Sequence, residues 1–318
     1  MLADRQGAPA ALLFDCDPGL GLAPGATLPA VVSEADFSAL GGRFPCFFRA
    51  EAAAPLADAL RDGGWQPLAQ ASLHRADTQF EHALAPAIRW VAGDWCLAPP
   101  PKAPGNNGAS RALALQLVQL VAADADTHEI EALLRRDPTL SYHLLRLVNS
   151  LGMSATRRVT SFSQALLILG RQQLRRWLNL MLFAAGEGDL RSNMLLARVA
   201  VRARAMESLA RELGLDKLTQ EQAFMTGMFS LLGILFGLPL AEVLKPLMIG
   251  EAVLAALLSQ EGELGQLLSL IAAAERGRLD SVARHLVPLQ LDADVFNRIM
   301  IDANLWMLGV LKESKPHA

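Results

Sequence analysis

The chain has 318 residues, of which 52% are hydrophobic, 19% charged and 6% aromatic, with a formal net charge of -3. That composition excludes intrinsic disorder and a uniformly basic nucleic-acid binder. At about 100–200 residues per domain the length suggests two domains, ample for a large core without disulfides or structural metal.

Taken in chain order, residues 1–98 mix short apolar runs with turn residues. ALLFDC, CFFRA and WCLA read as strands, and one helix is expected from Ala53 to Asp62, stopped by Gly63-Gly64. No signal peptide is read at the start. Cys16, Cys46 and Cys96 form an odd, unclustered set, which reads as reduced thiols in a cytoplasmic protein. LLFDCDPG places Asp15 and Asp17 where some phosphatases hold a metal at a strand end. The lysine and further acids of such sites are missing, so a strand-to-turn reading is preferred.

Residues 99–110, PPPKAPGNNGAS, are rich in Pro, Gly and Asn and read as a linker. From 111 to 318 apolar residues recur at spacings of three and four, the period of an amphipathic helix. Asp137-Pro138 supplies a cap and a first-turn proline, and Gly170 a stop. Helices are further expected over about 192–213, 220–235, 240–248, 250–259, 263–276 and 292–312. The uncharged stretch 223–241 approaches the length of a membrane span, but Gly227, Gly233, Gly237 and Pro239 interrupt it. It is read as buried core.

DPTLSYHLLRLVNS (137–150) and VTSFSQALLILGRQQLRRWL (159–178) resemble the HDOD domain family, a relative of the HD phosphohydrolases found in bacterial signalling proteins. Asp137, Pro138, Asn149, Ser150 and Gly170 carry the motif. The resemblance implies a mainly α fold, an all-helical, HD-like domain over 111–318. HD enzymes hold a divalent metal with histidines and aspartates that activate water. None of the six histidines here precedes an aspartate. Arg198 matches the first metal histidine, and Ser230 and Leu231 match the His-Asp dyad. Looser matches put the later histidines at Gln260 and Glu261 and the distant aspartate near Ala274. No metal, cofactor or catalytic residue is therefore expected.

Residues 67–100 resemble the end of an EAL domain, the cyclic di-GMP phosphodiesterase fold, with Gln70 and Leu73 at its two glutamates and Ala92-Gly93 at its Gln-Gly pair. This implies a truncated, degenerate α/β EAL-like domain over 1–98; a receiver-like module is the alternative. The letters EAL at 131–133 lie in a helix and are coincidence. Between Pro138 and Gly186 stand Arg146, Arg157, Arg158, Arg171, Arg175 and Arg176 and no acid, a candidate interaction surface.

These resemblances imply a non-catalytic regulatory protein that binds signalling partners such as a sensor kinase, a response regulator or a GGDEF/EAL protein. Nucleic acid is not expected, for want of aromatic interleaving. The alternatives are a divergent metal-dependent phosphohydrolase or phosphodiesterase, or a phosphate- or nucleotide-binding module that uses the arginine cluster.

Overall fold

A computed structural model describes residues 1–15, 28–52, 54–99, 125–134, 189–245 and 249–314, together with 116, 117, 119, 120, 123 and 247. Among the described residues the first part holds six strands: β1 (Leu2–Ala3), β2 (Pro9–Phe14), β3 (Cys46–Arg49), β4 (Gln66–Leu68), β5 (Leu73–Arg75) and β6 (Trp90–Ala92). Their order in the sheet is β4-β3-β2-β1-β6-β5. β2, β3 and β4 are mutually parallel, as are β5 and β6, whereas β1 runs antiparallel to both β2 and β6. Five strands therefore point the same way, and their C-terminal ends share one rim.

Helices α1 (Ala35–Arg43) and α2 (Ala54–Asp62) make the crossovers that parallel neighbours require. Their apolar residues Phe37, Leu40, Leu56 and Leu60 lie against the sheet, each at most 1% exposed. Phe37 stacks on Trp65 at 4.7 Å, and Phe14 meets both rings edge-on. The sequence reading found α2 but not α1, whose Gly41-Gly42 pair reads as a loop. Gly41 is needed there because a Cβ would sit 2.5 Å from the Gly63 carbonyl oxygen. WCLA, expected as a strand, forms a short 3-10 turn over Trp95–Leu97 after β6.

The second part is helical: α3 (Thr127–Leu134), α4 (Arg191–Glu212), α5 (Lys217–Phe229), α6 (Leu232–Phe236), α7 (Leu240–Leu244), α8 (Glu251–Ser259), α9 (Gly262–Glu275), α10 (Leu279–Leu289) and α11 (Ala293–Ser314). α4 is buried on nearly every side and serves as the axis, with α5, α9 and α11 packed around it. Asp216 caps α5 by accepting hydrogen bonds from the backbone N–H groups of Leu218 and Thr219. The single helix expected over 220–235 breaks at Ser230-Leu231 into α5 and α6, and Gly237, at φ +66°, ends α6. Phe229 and Leu232 are 1% and 0% exposed. The sequence reading missed α10, which carries Pro288 in its last turn.

One apolar cluster joins Leu12, Phe37 and Trp65 of the sheet half to Leu195, Phe229, Leu232 and Ile271 of the helices. Polar bonds follow the same path. The Ala30 N–H donates to Asp294, and Arg298 pairs with Glu34 at 2.9 Å. Among the described residues no helix is long and apolar enough to cross a membrane.

Candidate functional site

Residues 191, 198 and 202 of α4 are seven and four apart, so they fall on one stripe of the helix. All three are arginines, and all are buried. Removing a guanidinium from water is costly unless an anion and further acceptors meet it, and the fold supplies these from three directions. Arg191 is held by Asp189 at 2.7 Å and by the carbonyl of Ala98. Arg198 reaches the sheet half, donating from Nη1 to Asp94 Oδ1 at 3.0 Å and from Nη2 to the Gly93 carbonyl at 3.1 Å. Arg202 turns to α9, giving Nε and Nη2 to the two Glu275 oxygens, each at 2.7 Å.

Ser230 completes the Arg202 cluster. Its hydroxyl donates to the Gly227 carbonyl at 2.7 Å and accepts from Arg202 Nη1 at 2.9 Å. It can stand so close to α4 because Gly227 has no side chain: a Cβ there would lie 2.6 Å from the Cα of Ala203. Leu231 is buried at the α5–α6 break. Burial alone would raise the Glu275 carboxyl pKa. The charge and hydrogen bonds of Arg202, with the charge of Arg198, outweigh this and hold it below the ordinary value. Burial likewise opposes the Arg198 charge, but the nearby Glu275 and Asp94 carboxylates work against it, and its pKa is raised.

Of the positions matched to HD metal ligands, Ser230 bonds to Arg202, one turn along α4 from Arg198, whereas Arg198 itself turns to Asp94 and Gly93, and Leu231 is buried next to Ser230. Glu275, next to Ala274, stands where the distant aspartate was matched. Gln260 and Glu261 are exposed at the far end of α9, about 20 Å away at 1.5 Å per residue. A divalent metal does not fit this set: two guanidinia stand there, and the largely buried Glu275 carboxylate is already spent on Arg202. Among the described residues no group of three His, Cys, Asp or Glu is placed to hold a metal ion. Sequence reasoning missed Arg202, Glu275 and Asp94, although Arg202 lies one helical turn from Arg198.

In the sheet half, Gln70 opens an exposed 3-10 turn, Leu73 begins β5 and Ala92 ends β6, and no carboxylate stands at any of them. Asp15 follows β2 and pairs with Arg49 at 2.8 Å. Asp17, Asp137, Pro138, Arg146, Asn149, Ser150, Arg157, Arg158, Gly170, Arg171, Arg175 and Arg176 lie outside the described residues.

The HDOD domain family model matches over residues 111–243. Residues 111–243 are an HDOD domain. The chain is 31% identical over 195 residues to the cyclic di-GMP phosphodiesterase CdgJ of Vibrio cholerae, a match covering 61% of this chain and 45% of that one. It is 27% identical over 176 residues to the uncharacterized protein YuxH of Bacillus subtilis, covering 54% and 42%. A solved structure from Shewanella amazonensis SB2B superposes with a TM-score of 0.44 at 17% identity, over 64% of this chain and 93% of the other. The chain thus spans less than half the length of the curated relatives it matches.

These matches correct one expectation. The sequence reading made the protein a non-catalytic binder and not an enzyme, on the ground that Arg198, Ser230 and Leu231 cannot ligate a metal. A relative named as a cyclic di-GMP phosphodiesterase, 31% identical over 195 residues, overturns that conclusion. Missing ligands at 198, 230 and 231 exclude a metal at those residues, not phosphodiester chemistry in a chain that carries them.

Proposed function

We propose that the chain acts in cyclic di-GMP signalling as an enzyme of the phosphodiesterase class. The observation that carries the reading is the 31% identity over 195 residues to CdgJ. In the reaction, water adds across one P–O bond of the cyclic dinucleotide, and the ring opens to a linear dinucleotide ending in a phosphate monoester. No step is routed through a metal at Arg198, Ser230 and Leu231, because these residues do not fit one. What the chain offers there is the Arg198 guanidinium, paired with Asp94 and able to make bidentate contact with phosphate oxygens only where they replace that carboxylate.

The sheet half is read as a reduced EAL-type barrel over 1–98, joined by the 99–110 linker to the helical part over 111–318. The consecutive parallel units β2–α1–β3–α2–β4 support that origin. The arginines from Arg146 to Arg176 are read as a surface for an acidic signalling partner.

The test is incubation of the full purified chain with cyclic di-GMP, with magnesium, with manganese and with a chelator, followed by chromatography. Linear dinucleotide above the protein-free control is expected. Its absence at stoichiometric protein in all three conditions would overturn the reading.

A further inference from the structure

Because β1 is antiparallel to both β2 and β6, the C-terminal ends of β2, β3, β5 and β6 open on the same rim. In sheets of parallel strands, ligands bind at such a rim. Here the strand ends carry Asp15 after β2, Arg49 closing β3, Arg75 closing β5 with Asp77 two residues on, and Gly93-Asp94 after β6. Arg198 of α4 faces this rim from the helical half. Each arginine holds one aspartate: Arg49 with Asp15 at 2.8 Å, Arg75 with Asp77 at 2.8 Å, and Arg198 with Asp94 at 3.0 Å. The Asp94 N–H donates to Asp77 Oδ1 at 3.3 Å, which ties the Arg75–Asp77 pair to the turn that presents Asp94 to Arg198.

The two buried arginines of this region are held differently. Arg202 is saturated by both oxygens of the Glu275 carboxylate and by a hydroxyl, and serves as a fixed structural pair. Arg198 has a single oxygen of Asp94, whose side chain is 39% exposed, and one backbone carbonyl. The turn that presents them is rigid. Gly93 sits at φ +107°, where a Cβ would come within 2.1 Å of the Ala76 carbonyl oxygen. The backbone contact is therefore fixed, while the Asp94 carboxylate that completes the pairing is partly open to water.

We propose that this rim is a phosphate-binding site, in which a phosphate group of a nucleotide displaces the Asp94 carboxylate from Arg198 and is met from the outer side by Arg75. Asp94 stands in for the ligand when the site is empty and keeps the buried guanidinium paired. The inference rests on the phosphodiesterase reading for its choice of nucleotide, and it names where that substrate's phosphate is received.

Calorimetric titration of the full chain with cyclic di-GMP and, separately, with inorganic phosphate tests the site. Asp94→Asn removes the competing charge and is expected to tighten binding about tenfold, the effect of one charge-assisted contact. Arg75→Ala, at a largely exposed position, is expected to weaken binding by a similar factor without moving the melting temperature. Binding of phosphate alone, with both variants behaving as stated, supports the site with free phosphate as its ligand. Binding of both ligands extends it to the dinucleotide. No binding of either, unchanged or weaker binding in Asp94→Asn, or unchanged binding in Arg75→Ala overturns it. Turnover is measured separately: tighter binding by Asp94→Asn without any hydrolysis leaves the site standing and removes the phosphodiesterase reading. Hydrolysis with no effect of either substitution on binding does the reverse.

Discussion

Arg202 and Glu275, 73 residues apart in the chain, meet edge to edge through two hydrogen bonds of 2.7 Å in the interior of the helical half. The pair fixes α9 against α4.

Removing one member leaves the other charged and buried. Glu275→Gln or Arg202→Met is expected to cost about 3–5 kcal/mol in urea unfolding, whereas the double replacement Arg202→Met/Glu275→Leu should recover most of that. A loss under about 1 kcal/mol for either single change would mean that the pair does not fix the two helices.

The same pair sets a response to acid. The Glu275 pKa is lowered in the folded state, so its stabilisation is complete above the unfolded value of about 4.3 and is lost as pH falls through the lower, folded one. The stability gap between the native protein and Glu275→Gln should therefore be constant from pH 7 to about 5 and narrow below it. A gap that persists undiminished at pH 2 would contradict the assignment.

Two glycines make a matched test of packing. Gly227→Ala puts a Cβ 2.6 Å from the Ala203 backbone and is expected to cost about 1–3 kcal/mol or more as α4 and α5 are forced apart. Gly309→Ala, inside α11 with nothing within 4 Å, should instead stabilise by about 0.5–1 kcal/mol. Thermal unfolding of both variants reads the signs directly.

Burial pushes the Cys46 thiol up to about 12, and burial likewise raises that of Cys96. Both stay protonated at pH 8, and neither is accessible. Peptide mapping after iodoacetamide treatment should find Cys46 and Cys96 unmodified in the native protein and alkylated in denaturant.

Arg5 donates to the carbonyls of Leu84, Ala85 and Ile88 and so ties down the loop ahead of β6. Arg5→Ala should speed amide exchange across that loop while global unfolding changes little. Uniform exchange across the sheet would show instead that Arg5 supports the sheet as a whole.

Local chemistry made much of the helical half legible. Spacing of Leu, Ile and Val placed α8, α9 and α11 within a residue or two of their observed ends, because the helical period is imposed by backbone geometry within each segment. α1 and α10 escaped because Gly41-Gly42 and Pro288 carry breaker signals that packing overrides. Motif matching reached Arg198 and Ser230, which are defined by their place in the chain. It also led to a wrong conclusion about catalysis, since the residues missing at one site say nothing about chemistry elsewhere.

The sequence by itself thus determined where most helices of the second part lie, how their apolar residues are spaced and that none of the six histidines precedes an aspartate. Only the tertiary structure decided that Arg198 meets Asp94 across 104 residues, that Arg202 meets Glu275, and that five strand ends share one rim. A helix period acts over a few residues, whereas the partner of a buried charge is chosen by which carboxylate the packing of distant segments delivers within about 3 Å.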